Sequence, residues 1–499
     1  MKNNKGGSKV KYEATLFDTG FVHRVDIRIA EADWADLLKN AIYKTRYNVD
    51  LTIDGETMKN VAFSAKGMSS LIFPSLKPGN KRYSFKVLFG KNKKGQTCHG
   101  LDELDLNCCF RDTTLMKDYF SYRLFHLAGV PAPLTGYAWV TVNGKDLGLY
   151  LLVEKPEESF LARTFGKGVL YKPQTSDLER TPEAAVAKAK DLIENGESDI
   201  GENGIPEDYE LDESEGADFV YIDDDPASYP GIFTHRKTDG GKKDDAAVIA
   251  SIKTLSQGTK LKKGLDTHEI IRFFAAHNFL LSYDSYTGTS LQNMLICEKE
   301  GILSVIPWDY NLVFGTFVTG IGKEVLEDPT NLLNQGIDTP LIGTKEARRP
   351  LWAWIMQNEK YRQEYHEVLS ELIEKYFESG MFEDELNALQ GMLAPYQAKD
   401  PNAFYSKKEF KKGCEVLRQF ALRRAQSIRK QLNGELAMDS AKQNDSDKVR
   451  ASDLNVMDMG AYVYLPKELQ VKNAVMKADK KVNKHNETNK EDQFYERQK

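Results

Sequence analysis

The 499-residue sequence predicts an α+β protein in which a β-rich N-terminal lobe precedes a mainly helical C-terminal lobe. Three observations carry this reading. Up to residue 173 short apolar-alternating runs are split by turn pairs such as Asp54-Gly55 and Asn143-Gly144. From residue 248 to 435 apolar residues recur at helical spacing over long stretches. Between the two lies an acidic, weakly periodic stretch, 174–247, read as an inserted surface loop region with one helix at 182–194.

Each element follows from its local pattern. Residues 1–14 read as a flexible start, and the β-rich lobe begins at 15. "YNVDLTIDGETMKNVAFSAKG" is a hairpin around Asp54-Gly55. "KRYSFKVLF" puts Tyr83, Phe85, Val87 and Phe89 on one face, with Ser84, Lys86 and Leu88 on the other. A helix is expected from about Asp112, its N-cap, until Gly129 and Pro131 stop it. "YAWVTVNGKDLGLYLLVE" is a second hairpin and "GVLYKP" a further short strand. Helical patterning resumes near Asp244. The next helix starts at Asp266, with Glu269 as capping-box partner, and "IIRFFAAHNFLLSY" is apolar nearly all round, hence buried. Met294 to Cys297 and Ile302 to Ile306 form a hairpin turning at Lys299-Glu300. A loop region at 316–348 precedes helices near 350–378, 382–394 and 408–432. Residues 436–499 read as a mostly disordered polar tail carrying one short docking piece, "NVMDMGAYVYL".

Composition narrows the function. The hydrophobic share of 41% and charged share of 28% are those of an ordinary globular protein. A net charge of -6 provides no basic footprint for nucleic acid. No apolar run is long enough to span a bilayer, and the opening "MKNNKGGSKVKYEATLFD" has no apolar segment of the kind a secretory signal needs. The five cysteines are odd in number, dispersed and free of any Cys-x-x-Cys, which points to a reduced compartment with neither disulfides nor a zinc site.

Chemistry concentrates in "LLSYDSYTGTSLQNMLICEKEGILSVIPWDYNLVFG". With the turn at Lys299-Glu300, Asn293 faces Ile306 or Pro307, so Asn293 and Asp309 emerge at the same open end. Asp284 lies on the loop leading in. A hard cation such as Mg²⁺ takes one or two such oxygen donors, and a separate carboxylate manages the proton of an attacking hydroxyl. Asp after a helix and Asn before a strand are also ordinary turn and cap residues, so spacing leaves both readings open. In the N-terminal lobe, "SAKGMSS" offers backbone N–H groups and the hydroxyls of Ser69 and Ser70 to phosphate. Lys86 on the following strand is the candidate phosphate clamp, or simply a solvated strand lysine. Glu154 and Lys172 end adjacent strands and either approach phosphate or form surface ion pairs. Trp308 either faces a nucleotide base or braces the turn.

The chain resembles the spore-coat-protein-H kinase-like (CotH) family in its longer clostridial form. The matching pieces are "KGMSSL", "RYSFKV", "GLDELDLN", "KDYFSYRLFHLAGVPAPL", "VTVNGKDLGLYLLVE", "GVLYKP", "DSYTG", "QNMLICEKEG" and "IPWDYNLVFG", continuing into "IDTPL" and "RRPLWAWI". They run in family order over roughly residues 15 to 432, and more weakly through "ASDLNVMDMG". The resemblance implies an atypical protein-kinase-like, two-lobed fold with ATP bound between the lobes. It implies transfer of the γ-phosphoryl group to serine of protein substrates such as spore-coat proteins, with Mg²⁺ or Mn²⁺ as cofactor. It makes Asp284 the catalytic aspartate, Asp309 the metal ligand of the Trp-Asp motif, Asn293 the intervening asparagine and Lys86 the phosphate-contacting lysine. Asn311 stands where many members carry a second Asp, and is a further candidate ligand. Met68 and Cys108 also depart from the common pattern. Two other functions fit the same scaffold: a pseudokinase or adhesion module, and a different nucleotidyl or phosphoryl transferase. The expected partner is a protein with serine acceptors, not nucleic acid. The expected location is the cytoplasm or spore coat of a bacterium, or the cell surface if an N-terminal anchor has been lost.

Overall fold

Seven strands of the N-terminal part close on themselves. In the computed structural model, which describes residues 10–77, 79–176, 181–195, 214–288, 290–317 and 328–461, these are β1 (Val22–Arg28), β2 (Tyr47–Ile53), β3 (Glu56–Lys66), β4 (Ser84–Leu88), β5 (Glu103–Asn107), β6 (Thr135–Val142) and β7 (Lys145–Glu154). Their order is β1-β2-β3-β4-β5-β7-β6, and β6 returns parallel to β1, pairing Val22 with Tyr137, to complete a barrel. Both predicted hairpins are present, as β2–β3 and β6–β7. The closure itself has no local signal, because it joins strands more than a hundred residues apart.

Alternation decides which side chains fill the barrel. Phe63, Phe85, Val87, Leu104, Leu106, Ala138, Val140, Tyr150 and Leu152 point inward and are buried together. The other face of β6 and β7 carries Tyr137, Trp139, Leu149, Leu151 and Val153, which join the core of the helical part. Both strands are thus covered on two sides, which explains their nearly continuous apolar sequence. The outer face of β3, β4 and β5 is instead polar, with cross-strand neighbours Ser64, Lys86 and Asp105, and beside them Lys66 paired with Ser84. That polar face positions the site.

The helical part is built around the Thr267–Leu280 helix, in which every residue from 269 to 280 except Arg272 is buried. Asp266 caps it by accepting from the Glu269 N–H at 3.1 Å. Glu269 does not return the bond as a capping box would. Its carboxylate accepts from the Val305 N–H at 3.0 Å, because this helix packs on β10 (Ile302–Pro307). β10 pairs with β9 (Met294–Lys299), and β9 with β8 (Val169–Tyr171), as a separate three-stranded sheet. The turn falls on Glu300-Gly301, both with positive φ (54° and 84°), one residue later than the spacing suggests. Pro307 therefore faces Met294, and Asn293 faces Trp308, whose N–H donates to its carbonyl at 3.2 Å.

Three other expectations change. The helix expected from Asp112 spans Lys117–Ala128. Asp112 instead holds the preceding turn by accepting from the N–H groups of Thr114, Leu115 and Lys117. Gly129, at φ 80°, ends the helix as expected. The expected surface loop is partly integral: Ala217, Phe219, Tyr229 and Ile232 are buried in the helical core, whereas 196–213 lie outside the described residues. Residues 436–461 do not form a loose tail. Ala451, Val456, Met459 and Ala461 are buried, and "NVMDMGA" packs along the Lys407–Leu432 helix, with Gly413 in close approach to the Asp458 carbonyl. The remainder of the expected tail, 462–499, lies outside the described residues.

Candidate active site

Where the polar face of the barrel meets the exit of β10, three segments bring basic and acidic side chains together. Lys66, the last residue of β3, reaches along β5: its Nζ donates to Asp105 Oδ2 at 2.7 Å and to Asn107 Oδ1 at 2.9 Å. Lys155, just past β7, lies 3.4 Å from the same Asp105 oxygen. Both ammonium groups sit over the indole of Trp308, Lys155 at 4.1 Å and Lys66 at 5.6 Å from the ring centroid. Asp105 is fully buried. Burial alone would raise its pKa, but Lys155 and Lys66 outweigh it and hold the carboxyl down at about 2. Lys66 likewise keeps its charge against burial because Asp105 and Asp309 face it. Lys155 and Lys172 are less well compensated. Burial, with a neighbouring ammonium group acting on Lys172, brings each down to about 8.

The acidic half comes from the ends of the β9–β10 hairpin. Asn293 and Asp309 flank it, both in the left-handed region (φ 60° and 59°), which Asn and Asp tolerate better than other side chains. The Asp309 N–H donates to Tyr122 Oη at 3.0 Å, fixing the strand exit to the Lys117–Ala128 helix. Asp284 follows the buried helix on a tight loop. Gly288 permits that loop, since a Cβ there would lie 1.9 Å from the Tyr283 carbonyl oxygen. Asp284 Oδ1 accepts from Gln292 Nε2 at 2.7 Å and Ser290 Oγ at 3.0 Å, while Asn293 Nδ2 donates to the Asp284 carbonyl at 2.7 Å. Burial raises the Asp284 pKa, and Asp309 adds to the rise. Asp309 thus acts electrostatically on Asp284, Lys66, Lys172 and Asp118, which puts these five groups in one place.

The candidates chosen from sequence fall into two groups. Asp284, Asn293, Trp308, Asp309 and Lys172 belong to this constellation. Lys86 sits at its rim, 3.5 Å from Glu103 and partly exposed. Ser69 and Ser70 open a short helix beside Gly67 (φ 109°), where Ser70 Oγ fills the space a Cβ would need. Asn311 donates its amide to the Phe110 carbonyl at 3.2 Å. Glu154 is engaged elsewhere: it accepts from Tyr12 Oη, the Leu134 N–H and Arg163, and so ties the N-terminal segment to the barrel rather than facing phosphate. Lys66, Asp105, Asn107, Lys155 and Asp118 were not singled out. A signal existed for three of them: Lys66 directly precedes the Gly/Ser loop, and Asp105 and Asn107 are polar at i and i+2 on one strand.

Among the described residues no group of three or more His, Cys, Asp or Glu side chains is placed to enclose a metal ion. The oxygens present are of the hard kind that a cation such as Mg²⁺ would take. Asp309 supplies a carboxylate, and Asp118 Oδ1 is a buried oxygen with no hydrogen-bond partner. No helix among them is long and apolar enough to cross a membrane. The sequence model described as CotH kinase protein matches residues 66–428, a span that contains every residue of this constellation. Inner spore coat protein H of Bacillus subtilis (strain 168) is 22% identical over 429 residues, covering 83% of this chain and 96% of that protein.

Proposed function

Because the chain belongs to the CotH kinase protein family, we propose that it transfers the γ-phosphoryl group of ATP to a serine hydroxyl of a protein acceptor, between two kinase-like lobes. The observation that carries this reading is the convergence of Lys66, Lys155 and Lys172 with Asp309 and Asp284 at one junction of barrel and helices. Lysine clusters neutralise a polyphosphate, and Lys66 and Lys155 stand together over Trp308 with Lys172 beside them.

Asp284 takes the proton of the attacking serine as its oxygen bonds to the γ-phosphorus. The bond from that phosphorus to the β,γ-bridging oxygen breaks, and ADP leaves. Gln292 and Ser290 orient Asp284, and burial keeps its basicity above that of a free carboxylate. Lys66, rather than Lys86, holds phosphate, with Lys155 and Lys172 beside it. Asp309 holds Mg²⁺ or Mn²⁺, with Asn293 at the same end of the hairpin, and the cation when bound neutralises charge on the phosphates. Trp308 supports the lysines. The coat-protein relative favours a coat protein as acceptor and a spore-coat location.

Titration of a non-hydrolysable ATP analogue with Mn²⁺ tests the assignment. Asp284→Asn should bind the analogue like the unaltered protein and lose about 10²–10⁴-fold in transfer rate. Asp309→Ala should lose metal-dependent binding. Transfer retained in Asp284→Asn would sink the assignment of the base.

A further inference from the structure

We propose that Asp118 is a second carboxylate ligand of the divalent cation, shared with Asp309; this rests on the phosphotransfer reading above. Asp118 is the second residue of the Lys117–Ala128 helix and is 5% exposed. Its Oδ2 has one weak contact, the Asn107 amide at 3.5 Å, and its Oδ1 has none. A buried carboxylate oxygen left without a donor is costly, so such a group calls for a partner.

The neighbouring groups supply no such partner. Lys66, the ammonium group that acts on it electrostatically, directs its hydrogen bonds to Asp105 and Asn107 instead. The charges acting most strongly on Asp118 are Asp309 and Asp112, both negative, and Asp112 is taken up by the turn at 114–117. The Tyr310 amide lies near enough to favour the ionised form but completes no hydrogen bond with Oδ1. Two carboxylates of different elements thus act on each other as like charges, and the Oδ1 of Asp118 is left without a donor.

The framework resists their separation. Tyr122, one turn along from Asp118 on the same helix, accepts the Asp309 N–H, so helix and strand exit are fixed as a unit. Lys117 pins the start of that helix through the Arg111 carbonyl (2.9 Å), Thr316 Oγ1 (3.0 Å) and the Gly460 carbonyl (2.6 Å). A hard divalent cation resolves the repulsion: it takes one or two carboxylates and completes its shell with phosphate oxygens and water.

The test is Mn²⁺ binding to the full chain, followed by electron paramagnetic resonance with and without the non-hydrolysable analogue, alongside Tm. Asp118→Asn should weaken Mn²⁺ binding at least tenfold and abolish the Mn²⁺-dependent rise in Tm. Its metal-free Tm should equal or exceed that of the unaltered protein, since a like-charge contact is removed. Mn²⁺ binding unchanged in Asp118→Asn but lost in Asp309→Asn would overturn the proposal while leaving the phosphotransfer reading intact. A lower metal-free Tm with Mn²⁺ affinity preserved would mark a structural role and also overturn it. If the unaltered protein bound neither Mn²⁺ nor the analogue, both readings would fall. Anomalous diffraction from Mn²⁺ in crystals of the unaltered protein needs no variant. It should place the ion about 2.1 Å from Asp118 Oδ1; an ion held by Asp309 with Asp118 out of reach contradicts the proposal.

Discussion

Lys66 and Lys86 lie on neighbouring strands and the same outer face of the barrel, yet their surroundings differ. Lys66 is inserted between Asp105, Asn107 and Trp308, whereas Lys86 is partly exposed beside Glu103. Lys66→Met should lower kcat/KM about 10²-fold and Lys86→Met only a few-fold. Lys66→Met also leaves Asp105 buried without its closest cation, at a cost of about 3 kcal/mol. Adding Asp105→Asn should recover most of that stability and none of the activity, which separates the two roles in paired Tm and rate measurements. Lys155 and Lys172 provide a pH signature. Both are charged below about pH 8 and lose their protons above it, so affinity for the ATP analogue should fall as pH rises from 7 to 9.5. Lys155→Arg should shift that fall to higher pH in a binding titration. The sequence offered a lysine on this face, Lys86, as a candidate clamp or a solvated strand lysine. It could not show which lysine of that face is enclosed, because side-chain alternation fixes the face but not what the opposing loop presses against it.

At the scale of elements, the β9–β10 hairpin carries the site on its open end, and its register depends on the turn at Glu300-Gly301. Both turn residues have positive φ, the conformation for which Asn-Gly is the best natural pair. Glu300→Asn should therefore raise Tm, by an amount corresponding to about 0.5–1 kcal/mol, without altering activity. The Lys167 ion pair it removes is exposed at both ends. A lower Tm would show that the hairpin relies on that pair. This element was legible in the sequence as a hairpin, but one residue out of register. Asn293 was nonetheless placed at the correct end, since a shift of one residue moves it only from Ile306 or Pro307 to Trp308. Glu269 misled for a different reason. Three residues beyond a capping Asp, it fits a local motif, but packing of the helix on β10 claims its carboxylate for Val305.

For the whole molecule, division into a β-rich start and a helical end was readable from periodicity. Barrel closure was not, because the β1–β6 ladder is set by the global path of the chain. The seat of residues 451–461 was legible in part: "NVMDMGAYVYL" was expected to dock from an otherwise loose tail, and its described part does, through backbone bonds to Lys117 and Thr113 as much as through burial. His277 couples several of these parts. It is buried, hydrogen-bonded to Tyr310 Oη and Thr287 Oγ1 at 2.7 Å each, and links the Asp284 loop to the residue after Asp309. Burial lowers its pKa from the ordinary 6.5 to about 3, so the folded protein holds it neutral while the unfolded chain would protonate it. Its contribution to stability is full above pH 6.5 and is lost as pH falls toward 3, at about 1.4 kcal/mol per unit. His277→Gln should flatten that acid limb of the Tm profile. Phosphoryl transfer by Asp284 and its neighbours can be followed by incubating the protein and a Ser-rich acceptor with γ-labelled and, separately, α-labelled ATP in the presence of Mn²⁺. The expected result is γ-label on serine, no α-label, and loss of incorporation in Asp284→Asn. Transfer of α-label, or γ-label persisting in that variant, would contradict it.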